Sequence, residues 1–152
     1  MLIKCSSIAW ANYSPPPSDF GVICDLKSAR PVAINSYLLK MLKYSVIWNK
    51  YRIFYDSNGN PIGYIAWADI VEESLYRLFR YGSYPDYFYE WNEGGIRLFI
   101  DFVFLTDNAA PSVIRTRLAE LVKKKNGFAY ARAGRLKYFA YKKNRFVSSM
   151  PE

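Results

Sequence analysis

One carboxylate, Asp101, interrupts the apolar run Leu98-Phe99-Ile100-Asp101-Phe102-Val103-Phe104. A strand that apolar is buried on both faces, so a charge inside it must be hydrogen-bonded, paired with a cation or open onto a cleft. Strict alternation puts Phe99 and Val103 on the side of Asp101, and Ile100 and Phe102 on the other. Two readings follow, a structural ion pair or a residue that does chemistry. The chain has no histidine, which removes the Ser-His-Asp triad, the Cys-His pair, the histidine-ligated metal and the histidine general base. Cys5 and Cys24 lack metal-ligand spacing, so no metal site is expected. The other acidic cluster, Asp69, Glu72 and Glu73, fits the start of a helix better than it fits acid/base chemistry, with Asp69 as N-cap.

The net charge of +8 is concentrated toward the C-terminus. Residues 115 to 145 hold eleven Lys/Arg and one acid, Glu120, whereas residues 1 to 114 hold ten basic and eleven acidic groups. Arg115, Arg117, Lys123, Lys124, Lys125 and Arg132 are therefore the candidate partner-binding residues, competing with the reading of an ordinary helix C-terminus for the three lysines. The segment Lys125-Asn126-Gly127-Phe128-Ala129-Tyr130 resembles in part the strand motif of RNA-recognition sheets. Its asparagine before the glycine, the missing final aromatic and the lack of a second aromatic strand near the start leave no nucleic-acid partner expected.

The elements that must carry these residues can be placed from the pattern. A chain of 152 residues, 51% hydrophobic and 18% aromatic, suits one globular domain. The run Ser14-Pro15-Pro16-Pro17-Ser18-Asp19 blocks helix continuation, dividing an N-terminal segment, 1–19, from a domain, 20–152. Spacing of Ile34, Leu38, Leu42 and Val46 after Pro31 predicts a helix near 31–44. Asn58-Gly59 between two β-rich runs predicts a hairpin, since both residues tolerate positive φ. A helix is expected over about 70–81, a central strand through Asp101, and a further helix opening at Asp107-Asn108 and ending before Gly127. Two strands follow, giving an α+β domain with a strand-helix-strand crossover. Neither an apolar stretch of spanning length nor a signal-peptide core is visible, and the cysteine usage suits a reducing compartment, so a cytoplasmic protein is expected.

Gly63-Tyr64-Ile65-Ala66-Trp67, then Phe99-Ile100-Asp101, Asp107-Asn108 before a helix and Gly127-Phe128-Ala129-Tyr130 together resemble the toxin-activating lysine acyltransferases, bacterial proteins that fatty-acylate RTX protoxins. The resemblance spans roughly residues 20 to 145. It implies an acetyltransferase-like α+β fold with a mixed sheet flanked by helices, an acyl-acyl carrier protein as donor, and a His/Asp pair at the site. The family's aspartate falls on Asp101, and its histidine, before a helix, falls on or near Arg30. Arginine cannot accept a proton as histidine does. The resemblance then leaves Asp101 to orient or deprotonate a nucleophile, and Arg30 to stabilise an oxyanion or bind an anion. A short chain with this altered pair looks like the branch that matures microcins, in which a siderophore, often a glucosylated catecholate, is attached to a precursor peptide with the help of a second protein. The alternatives are fatty-acyl transfer to a protoxin lysine and a non-catalytic binding subunit. No tightly bound cofactor is implied, and coenzyme A is disfavoured as donor because Thr106-Asp107-Asn108-Ala109-Ala110-Pro111-Ser112 has no glycine to cradle a pyrophosphate. The stretch from Tyr81 to Trp91 could offer flat surfaces to a ring-bearing cargo or simply fill core contacts.

Overall fold

The computed structural model describes residues 18–30, 34–105 and 111–150, the stretch 111–114 by its backbone alone. Pro15 to Pro17, Pro31 and Asp107-Asn108 therefore lie outside the described residues. Within them the chain forms a single mixed sheet of six strands in the order β1-β2-β3-β4-β5-β6, flanked by helices on both faces.

Helix α1 (Asp19–Ser28) opens on Ser18, whose Oγ accepts from the backbone N–H of Gly21 at 3.2 Å. It was not expected, because the only apolar side chains it fully buries are Ile23 and Leu26, too few for a clear helical stripe. Helix α2 (Ser36–Ile47) starts later than the 31–44 estimate, at the Asn35 cap whose Oδ1 accepts from Leu38 N–H at 2.7 Å. β1 (Tyr51–Tyr55) and β2 (Pro61–Ile70) form the expected antiparallel hairpin. Its turn is organised by Asp56, whose Oδ1 accepts from the N–H groups of Asn58 and Asn60 at 2.8 and 2.9 Å. Gly59, at φ +82°, alone takes the left-handed conformation there, as its missing Cβ permits.

Helix α3 (Glu72–Tyr81) follows, and here the expected N-cap is wrong. Val71 occupies the cap with no side-chain hydrogen bond, and Asp69 belongs to β2. After a 3-10 turn (Phe88–Trp91), the central strand β3 (Ile96–Phe104) pairs antiparallel with β2. Helix α4 (Pro111–Val122) then crosses over to β4 (Gly127–Arg132), parallel to β3. β5 (Arg135–Lys142) and β6 (Arg145–Ser149) complete an antiparallel meander. β6 was not expected, because its turn is Lys143-Asn144, both at positive φ (51° and 62°), rather than a glycine-marked turn.

On one sheet face, Ile70, Leu75, Leu78, Trp91, Ile96, Leu98 and Tyr138 build the main core beneath α2 and α3. Ile23, Leu26, Leu42, Tyr64 and Val103 build a second core beneath α1 and α2. A buried polar chain ties these layers: the Trp91 indole N–H donates to Ser45 Oγ at 3.1 Å, and that hydroxyl donates to the Trp67 carbonyl at 3.0 Å. Helix α4 covers part of the opposite face.

Candidate functional site

Two irregularities in β3 create the site. The register with β2 passes from Ala66 opposite Asp101 to Trp67 opposite Phe99, so Ile100 is an extra, bulged residue. A bulge breaks the two-residue alternation of side chains. Asp101 therefore shares its face with Tyr64 and Val103, while Phe99 turns the other way onto Phe128, at 6.4 Å between ring centroids. The expectation that Phe99 shares the face of Asp101 fails for this reason.

The second irregularity is that β3 and β4 pair over only three positions, Ile96 with Gly127, Arg97 with Phe128 and Leu98 with Ala129. Beyond these the strands diverge, although each continues. A cleft of about 720 Å³ opens along the divergence, lined by Ile65, Phe99, Phe102, Leu118, Val122, Phe128, Tyr130 and Phe146, with Arg115 and Arg132 adding positive charge. Ile100 and Asp101 of the bulge also border it. An apolar cleft of this volume with few polar groups matches a small-molecule site.

Asp101 is not a free carboxylate. Lys27, from α1, approaches its two oxygens at 3.0 and 3.2 Å, and the Tyr64 hydroxyl donates to it at 2.5 Å. Burial, then the hydrogen bond to the carboxylate, pushes the Tyr64 phenol far above its ordinary range, so Tyr64 stays a donor. Cys24, one turn before Lys27, has its thiol pushed up by burial and then by Asp25, which leaves little thiolate for nucleophilic attack.

The residue facing Asp101 is thus Lys27, not Arg30. Arg30 is exposed just past the C-terminal end of α1, its N–H bonded to the Lys27 carbonyl at 3.2 Å. It does not begin a helix, and among the described residues it makes no hydrogen bond or ion pair with Asp101. Lys27 was legible in principle, as the one cation on the apolar edge of α1 formed by Ile23 and Leu26.

The candidate partner-binding cations divide. Arg115 and Arg132 border the cleft. Arg117 pairs with Glu120 at 3.6 Å on the surface, and Lys123 and Lys124 are exposed. Lys125 turns inward, its ammonium 3.1 Å from the buried Asp69 carboxylate. Lys50, at 2.8 Å, and Arg97, at 2.9 and 3.0 Å, meet the same carboxylate. Arg97 also donates to the Leu121 carbonyl and lies over the Trp67 ring at 4.6 Å. Burial alone would raise the Asp69 pKa, yet hydrogen bonds from Arg97, Lys50 and Lys125 hold it below the usual carboxylate range. This cluster locks β1, β2, β3 and the end of α4 together.

In the aromatic stretch, Trp91 is core, Phe88 stacks on Trp48 at 4.9 Å, and Tyr87 stacks on Tyr89 at the surface. Among the described residues, no group of His, Cys, Asp and Glu could hold a metal ion. None of the described helices is long and apolar enough to cross a membrane.

A mixed sheet whose parallel central pair splays around an apolar, arginine-flanked cleft defines a protein with the GNAT-like acetyltransferase fold. Its likeness among solved structures includes a GNAT family acetyltransferase from Brucella melitensis, crystallised in complex with acetyl-CoA, at a TM-score of 0.50 and 15% identity, covering 90% of this chain and 91% of that one. At that identity the shared property is the fold. No family model matches the chain, and no curated protein does.

Proposed function

We propose that this protein takes part in acyl transfer, holding an acyl donor in the cleft between β3 and β4 and acting in the maturation of a bacterial toxin or microcin precursor peptide. The observation that carries the reading is the splay itself. Two parallel strands separate beside a bulge, their unpaired backbone groups facing a cleft with apolar walls and two arginines. Such a site suits a donor with an apolar or flat acyl group, amide groups to pair with strand edges, and an anionic end.

Without histidine, the proton balance differs from a His/Asp mechanism. The acceptor's nitrogen or oxygen bonds to the donor carbonyl carbon, the carbon–sulfur bond of a thioester donor breaks, and the acceptor's proton leaves with the thiolate or to solvent. Asp101, engaged by the Lys27 ammonium and the Tyr64 hydroxyl, is a positioning group at the border of the cleft in this scheme. The protein is read as a domain over 20–152 working in the cytoplasm with the precursor and a second maturation protein. In the microcin reading the acyl group is the precursor's C-terminal carboxyl, presented as a thioester, and the acceptor oxygen is a hydroxyl of the siderophore moiety; in the protoxin reading the acyl group is a fatty chain from acyl-acyl carrier protein and the acceptor is a lysine nitrogen. One observation favours a third role: a carboxylate satisfied by an ammonium and a phenol also suits a binding subunit with no chemistry of its own.

Intact-mass spectrometry of the precursor made with its gene cluster tests all three. The proposal expects a mass increment that is lost with Lys27→Met and Asp101→Asn versions that remain folded by circular dichroism. The increment distinguishes fatty acyl from siderophore cargo. An increment that survives both substitutions establishes the binding-subunit role and overturns a chemical one.

A further inference from the structure

We propose that the face of β4, β5 and β6 turned away from α1 to α3 is a docking surface for an acidic polypeptide. The strand register arranges this face in rows, with Phe128 opposite Phe139, Tyr130 opposite Lys137 and Arg132 opposite Arg135. Alternate residues of the same strands, Ala129, Tyr138 and Ala140, point into the core, so the two sets are on opposite faces. Arg132, Arg135 and Lys137 are exposed, and the three rings are half-buried. Residues 121 to 150 hold nine Lys/Arg and no Asp or Glu, so nothing on the meander itself neutralises this face. Lys125 is the exception that turns inward, onto Asp69.

The ring geometry indicates which kind of polyanion fits. Phe128 stacks on Phe139 at 5.0 Å and 16°, and Tyr130 stacks on Phe139 at 6.1 Å and 10°. Each stack covers one face of a ring, and Phe146 meets Phe128 edge-on at 5.0 Å, so the rings form one packed cluster. Single-stranded nucleic acid is held by bases stacking on exposed rings, whereas Phe128, Tyr130 and Phe139 are half-buried in their own cluster and the exposed groups of the face are the cations. Ring edges, guanidinium groups and an ammonium all attract carboxylates, and aromatic residues with arginine are the side chains enriched at protein interfaces. Tyr130 and Arg132 also line the cleft, so an acidic chain bound here lies at its mouth. The inference does not depend on what the cleft transfers.

The test is fluorescence anisotropy of the full chain with labelled poly-glutamate peptide and, separately, labelled poly-uridine oligonucleotide of matched length. The peptide is expected to bind, to weaken as salt is raised, and to lose about ten-fold or more in affinity when Arg135→Ser and Lys137→Ser are combined. Lys123→Ser with Lys124→Ser, an equal loss of charge at the end of α4, is expected to change it less than about two-fold. All four positions are exposed, so both variants should keep the wild-type circular dichroism spectrum. Absence of peptide binding, equal losses in the two variants, or tighter binding of the oligonucleotide would each overturn the proposal.

Discussion

Replacing Asp69 with Asn should destabilise the fold more than any surface substitution, because one buried carboxylate neutralises three cations. The Asp69 side chain is 3% exposed, against 18% for Lys50, 12% for Arg97 and 23% for Lys125. Breaking a buried ion pair by removing one partner costs about 3–5 kcal/mol, since the other charge is left uncompensated. The two lysines can reach water by a change of rotamer, which lowers their share. Arg97 cannot, because its guanidinium is fixed between the Trp67 ring and the Leu121 carbonyl. The expected loss is therefore near the lower limit, about 3 kcal/mol. For a domain of this length that lowers Tm by roughly 6–12 °C. Thermal unfolding by circular dichroism measures it, with Asp86→Asn as a control whose pair with Lys40 is open to solvent and whose Tm should match wild type. Combining Asp69→Asn with Lys125→Met should cost less than the sum of the single losses, since each removes what the other leaves unpaired. An Asp69→Asn loss below about 1 kcal/mol, or strict additivity in the double variant, would refute the neutralising role.

Other outcomes follow from the same geometry. Asp69 and Glu90 both titrate below their ordinary values of 3.8 and 4.5, each despite burial, Glu90 through the backbone N–H of Tyr87 and the Arg77 guanidinium. Their stabilisation is complete above those unfolded values and is lost as pH falls through the lower folded ones; the urea midpoint should be level near neutrality and drop steeply below about pH 4, and a midpoint that rises toward acid contradicts this. Gly63→Ala should weaken the β2–β3 pairing by about 1–3 kcal/mol, because a Cβ there would lie 2.5 Å from the Val103 carbonyl oxygen and 2.8 Å from the Phe104 ring; chemical denaturation with an unchanged midpoint would show that the strands adjust freely. Ser45→Ala should cost about 1–3 kcal/mol by leaving the buried Trp91 indole N–H without its acceptor, and an unchanged Trp fluorescence unfolding curve would show that another acceptor takes over.

The hairpin, α3 and the central strand were legible because each carries a strong local signal: Asn58-Gly59, the Leu75 and Leu78 stripe, and the apolar run around Asp101. Helix α1 and β6 were not, since one has a weak apolar face and the other follows a turn without glycine. Asp69 misled for a different reason. An acid three residues before Glu72 satisfies a local capping rule, but β2 continues to Ile70 and tertiary cations claim the side chain. Of the cleft, sequence supplied Arg115 and Arg132 as charges without a location; the aromatic walls appear only once Phe99, Phe128, Tyr130 and Phe146, from three strands, meet around the splay.

The bulge at Ile100 decides what Asp101 can be. Had β3 kept regular alternation, Asp101 would lie on the face of Phe99 and point toward the apolar cleft wall, where an unpaired carboxylate is costly. One inserted residue rotates it to the face of Tyr64, within reach of Lys27 on α1. The cleft beside it has a separate origin, the end of the β3–β4 pairing at Leu98 and Ala129. The splay thus gives the exposed strand edge, and the bulge fixes a charged group at its border. It also explains why Lys27 and not Arg30 is the cation of the pair: α1 crosses over β2 at the level of Tyr64 and Val103, which places its third turn opposite Asp101 and carries its C-terminal end past it.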